Sequence, residues 1–128
     1  MTTDLTMLVW SAALALVQML IAVAGAQSQV DLRILVGNRD TPPAVAGWAG
    51  RAQRAHLNLL ESLAVFAIAV LVAHVAGRAN ETTALGATLF FWGRVAYAIV
   101  YLAGIPWVRS LVWAVSLLGI VLVLSQLF

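Results

Sequence analysis

The sequence predicts an all-α integral membrane protein, a bundle of four transmembrane helices. Three observations carry this. Apolar residues make up 63% of the chain and charged residues 9%, against roughly 45–50% and 25% in soluble domains. The apolar residues gather in four runs, each near the ~20 residues that a helix needs to cross a bilayer. The few ionisable groups inside those runs recur at helical spacing, one stripe to a helix. With 128 residues, the chain is one domain at most.

The first run, residues 5–26, reads as a spanning helix. A signal peptide is the rival, because Ala24-Gly25-Ala26 resembles a cleavage site. The segment before the run carries Asp4 and no basic residue, and the run is longer than the usual ~7–15 residues, so a retained helix is favoured. Residues 27–50 form a polar connection with a short helix expected near Val30–Val36. Pro42 and Pro43 stop any helix from running through it. The second span covers about 51–76, and its first turns hold Arg51, Arg54, His56, Asn58 and Glu61. A short turn follows, in which Asn80 or Thr82 is placed to cap the next helix. The third span, about 84–103, carries Arg94, Tyr97 and Tyr101. Gly104-Ile105-Pro106 breaks it, and the fourth span runs over about 109–127.

All seven basic residues are arginine, and the net charge is only +2. No clustered basic stripe or reader motif points to nucleic acid. There is no cysteine, so any thiol chemistry must use a ligand's thiol. No group of His, Cys and carboxylates has metal-ligand spacing. His56 reads as a hydrogen-bonded residue at a helix start, and His74 as a residue near a loop.

Arginines concentrate in the first and third connections. The positive-inside rule therefore puts those loops in the cytoplasm and both termini outside. Up-and-down topology then brings the start of span two, the end of span three and the start of span four to one membrane side. Arg54, Asn58 and Glu61 stand at i, i+4 and i+7. Arg94, Tyr97 and Tyr101 stand at i, i+3 and i+7. Each set shares a helix face, and in lipid such faces turn toward protein. Arg94 lies deeper, ~14 Å along the helix from Ala103. Arg33, Arg54, Arg94 and Arg109 meet at most one carboxylate near the spans, Glu61. That excess asks for an anionic ligand, and Arg suits bidentate carboxylate recognition. Blander readings stand beside this one. Arg51, Arg54 and Arg109 can be interfacial residues that snorkel, Arg94 and Glu61 can form a structural ion pair, and the tyrosines can belong to an aromatic belt.

Arg54-Ala55-His56-x-Asn58-x-x-Glu61 resembles the signature of the MAPEG proteins, the membrane-associated proteins in eicosanoid and glutathione metabolism. Arg94-x-x-Tyr97-x-x-x-Tyr101 is similar to the family's second motif, and Arg109-Ser110 to its third. The resemblance covers all four spans. It implies a homotrimer, with glutathione as co-substrate bound between subunits near the cytoplasmic side. Arg54, Asn58 and Glu61 would hold it from one subunit, and Arg94, Tyr97 and Tyr101 from the neighbour. Arg109 would face the thiol with Ser110 beside it, and Arg33 is a further candidate contact. The implied activity is a glutathione-dependent transferase or peroxidase acting on lipophilic electrophiles drawn from the membrane lipids. The alternatives are a non-enzymatic lipid-binding or assembly protein of the same fold, and a small channel or transporter. Two departures stand out: Ala64, where the family often has proline, and the Thr41-Pro42-Pro43 loop.

Overall fold

The computed structural model describes residues 1–128. Its elements are α1 (Thr3–Gln29), α2 (Leu32–Val36), α3 (Gly47–Val75), α4 (Glu81–Ala103) and α5 (Pro106–Ser125), with no strand. The four long helices are each long and apolar enough to cross a membrane. The all-α transmembrane class read from the sequence is therefore the class observed.

The helix ends differ from the hydropathy runs for local reasons. Thr2 accepts a hydrogen bond from the Leu5 N–H and starts α1 two residues early. Asn80 and Thr83 form a reciprocal capping box, so α4 begins at Glu81 rather than Ala84. Proline suits the first turn of a helix, where its missing N–H has no partner to lose. Thus α5 begins at Pro106, ahead of Arg109. Val30 and Asp31 stay outside the short α2, because the Asp31 side chain caps it by accepting from the Arg33 N–H. The polar connection is closed by Gln29, whose side-chain amide makes two hydrogen bonds of 2.8 Å to the backbone of Ala46.

Packing is tightest between α4 and α5, and α1 lies against α3 and α4. Phe66 of α3 stacks on Phe90 of α4 with ring centroids 4.0 Å apart. Around them, Leu59, Val70, Ala87 and Val123 are fully buried. Small residues let the backbones approach, as apolar spans require when lipid offers no hydrophobic drive to associate. Gly86 and Gly119 face each other so closely that a methyl group on either would strike the other's carbonyl oxygen. Gly93 meets Ser116 further along the same interface. The inward stripe of α1 is small or polar, with Asp4, Ser11, Ala15, Gln18 and Gly25 buried. Large aliphatic side chains such as Leu16, Ile68, Ile99 and Leu111 point outward. That is the reverse of a soluble bundle and suits a lipid solvent.

The glycine contact gives the first prediction. Gly119→Ala forces α4 and α5 apart and destabilises the fold by about 1–3 kcal/mol, the usual cost of overpacking. The melting temperature in detergent falls accordingly. A variant melting with the wild type removes this contact from the account of how the helices pack.

Candidate functional site

The polar residues gather where α3 begins, α4 ends and α5 begins. The turn from α4 to α5 makes this possible. Gly104 takes a left-handed conformation, φ 81°, and ends α4, which glycine adopts without the clash a Cβ would bring. The Ile105 N–H then bonds back to the Val100 carbonyl. Within one turn α5 carries Arg109 back over α4, and its guanidinium lies 4.7 Å from the centre of the Tyr101 ring.

Tyr101 is a shared platform. Its hydroxyl accepts a 3.1 Å hydrogen bond from Arg54 Nε, while Arg109 sits against its ring. Its ring meets Tyr97 edge-to-face, with centroids 5.4 Å apart. Tyr97 in turn has the Arg94 guanidinium 4.2 Å from its ring centre. Cations over aromatic faces are attracted by the ring quadrupole, more strongly once water is removed. Arg51 donates through Nε to the Leu102 carbonyl at 3.1 Å. Asn58 Oδ1 accepts from Arg94 Nη1 at 2.9 Å. This contact replaces the structural ion pair considered between Arg94 and Glu61. Glu61 is exposed instead.

Two adjoining cavities open here. One, about 200 Å³, is lined by Arg51, Arg54, Tyr101, Gly104, Ile105, Pro106 and Arg109. The other, about 270 Å³, is lined by Asn58, Tyr97, Tyr101, Arg109, Ser110 and Trp113. Three guanidinium groups face the first, and no carboxylate lines either. Guanidinium charges gathered in a cavity with no carboxylate in its lining give it a positive potential.

A family model described as MAPEG family matches residues 7–128. The chain belongs to the MAPEG family. No curated protein and no solved structure matches it. As a MAPEG protein it is an integral, multi-pass membrane protein, and at family level its chemistry is glutathione-related transfer or peroxidase activity. The family generally uses glutathione.

Set against this MAPEG assignment, the sequence-derived residues divide into three groups. Arg54, Asn58, Tyr97, Tyr101, Arg109 and Ser110 line one or both cavities. Arg94 lines neither and is only 1% exposed. Arg33, on α2, and Glu61, on α3, are exposed and also line neither. Within the chain the two motifs touch, through the bonds from Arg94 to Asn58 and from Arg54 to Tyr101. Two further lining residues are Arg51, open from the sequence to a snorkelling reading, and Trp113. Arg51 stands three residues before Arg54, and Trp113 four after Arg109, so helical spacing alone puts each beside a recognised residue. His56 turns elsewhere: with Gln53 and Arg39 it lines a separate, mostly apolar cavity of about 310 Å³ between α1, α2 and α3.

The turn yields the second prediction. Gly104→Ala places a Cβ at a left-handed position and costs about 1–2 kcal/mol. The measurement is the melting temperature in detergent. An unchanged value means that the turn does not depend on glycine.

Proposed function

We propose that the protein is a glutathione-dependent membrane transferase or peroxidase acting on lipophilic electrophiles, with Arg109 stabilising the thiolate. The observation that carries this is the set of Arg51, Arg54 and Arg109 around one cavity with no carboxylate among its lining residues. Glutathione fits this chemistry because it brings carboxylates to an arginine cluster. Asn58, Tyr97, Tyr101 and Ser110 add neutral hydrogen-bonding groups alongside.

In this reading Arg54 and Arg51 hold carboxylate, through charge-assisted hydrogen bonds that are geometrically specific. Asn58 and the tyrosine hydroxyls orient the peptide part. Arg109 is held by the Tyr101 face, which fixes its guanidinium without neutralising it. Glutathione supplies the thiol, and only its thiolate is a good nucleophile. A cationic donor beside the sulfur favours the anion, by ~1.4 kcal/mol for each tenfold gain in thiolate. The Ser110 hydroxyl lies beside Arg109 and donates to the Pro106 carbonyl at 3.4 Å; rotated toward the sulfur, it becomes a second donor. The lipophilic substrate comes from the surrounding lipid. In the homotrimer that the family resemblance implies, Glu61 stands with Arg54 and Asn58 on one subunit, and Arg33 is a further contact. The arginine-rich end lies on the cytoplasmic side and both termini outside, as the positive-inside rule places them.

Binding is tested first. Glutathione at a hundred times its dissociation constant adds about 2.7 kcal/mol to the folded state and raises the melting temperature. No rise in wild-type protein ends this reading in favour of a lipid-binding or assembly role. Arg109→Ala should keep the glutathione-induced rise but lose most of the thiolate band in the ultraviolet difference spectrum. If that variant conjugates a model electrophile at the wild-type rate, Arg109 is not the thiolate-stabilising group.

A further inference from the structure

We infer that Arg94 is a positioning residue of the glutathione site, holding Asn58 and Tyr97 from behind rather than touching the ligand. The inference rests on the glutathione reading above and deepens it. Asn58 and Tyr97 both form the wall of the 270 Å³ cavity, and Arg94 is absent from that wall. It is 1% exposed, the largest fully buried side chain of the protein. Its Nη1 donates to Asn58 Oδ1 at 2.9 Å, and its guanidinium lies 4.2 Å from the Tyr97 ring centre. Its Nε and Nη2 are buried with no partner. Arg94 therefore spends its contacts on two wall residues, and its free nitrogens are closed off in the bundle.

The chemistry of those contacts orients the wall. A guanidinium has only donors, so the Asn58 amide must turn its oxygen toward Arg94. Its NH₂ group is then left for the cavity, where it offers donors and no acceptor to an anionic ligand. Against Tyr97 the planar guanidinium covers one ring face. Tyr97 meets Tyr101 edge-to-face, and Tyr101 carries Arg109. Arg94 thus supports, through two rings, the group assigned to the thiol. An ammonium can keep the bond to Asn58 but lacks the flat surface for Tyr97.

The test crosses protein variants with ligand variants. Amidating a carboxylate that an arginine binds weakens affinity about tenfold or more. Two glutathione analogues, each amidated at one carboxylate, are titrated against wild type, Arg94→Met and Arg94→Lys. The inference expects Arg94→Met to bind unmodified glutathione about tenfold more weakly, as loss of a hydrogen bond to a charged group implies. Both amidation penalties should stay at their wild-type size, and Arg94→Lys should recover part of the affinity. A penalty that vanishes in Arg94→Met makes Arg94 a direct ligand contact and overturns the inference. Wild-type affinity in Arg94→Met overturns it as well. A second arm needs no ligand: melting of Arg94→Met, Asn58→Ala and the double variant. The double variant should lose less than the two singles together, because both remove one contact. Additive losses overturn the inference. If wild type shows no response to glutathione, the functional reading has failed, and the melting arm alone decides whether Arg94 holds Asn58.

Discussion

A guanidinium closed inside an apolar bundle is the constraint that the rest of this structure answers. An arginine at the centre of a spanning helix costs about 2.5–3.5 kcal/mol even on insertion scales that allow relaxation. Arg94 is retained at that depth with one amide and one aromatic ring as company. The amide comes from α3 and the ring from α4 itself. The cost of burying the charge is thus offset by contacts that also tie α3 to α4 beside the cavities. Glycine contacts between α4 and α5 bring the third wall close enough for Arg109 to reach Tyr101.

Electrostatics at this end of the bundle run in one direction. Arg51, Arg54 and Arg109 are held by a carbonyl, a hydroxyl and a ring respectively. None of these partners cancels a charge. Arg51 and Arg109 are half-buried and Arg54 is exposed. Holding them with neutral groups fixes their positions and leaves their charge for a ligand. That arrangement is consistent with the glutathione use general to the MAPEG family. It also explains why the tyrosines stand where they do. A belt residue needs only a wet end, whereas Tyr101 is in contact with two arginines and a second tyrosine.

Much of this was legible in the sequence, and the reasons differ by level. The fold class follows from apolar content and run length, which depend on the solvent rather than on packing. Helix faces follow from the period of 3.6, so Arg94, Tyr97 and Tyr101 belong together on any straight helix. Depth from the cavity does not follow. Tyr97 is in the wall and Arg94 behind it, although they stand one turn apart on the same face. Glu61 is similar: its spacing from Asn58 puts it on the recognised face, yet it lines neither cavity. Arg51 shows the opposite case, since an arginine at a helix start reads as a snorkelling residue until the α4–α5 turn is folded against it.

The sequence by itself determined the solvent, the four spans, the face on which each polar residue sits and the end of the bundle where they collect. These are properties of composition and of a single helix's geometry. Only the tertiary structure decided that Arg94 bonds to Asn58 and not to Glu61, that Arg54 and Arg109 share Tyr101, and that the two motifs meet within one chain. A helix period fixes angles about its own axis. Which side chains meet depends on how neighbouring helices are rotated and how closely they approach, and that is set by contacts such as Gly86 against Gly119, distant in sequence from the residues they align.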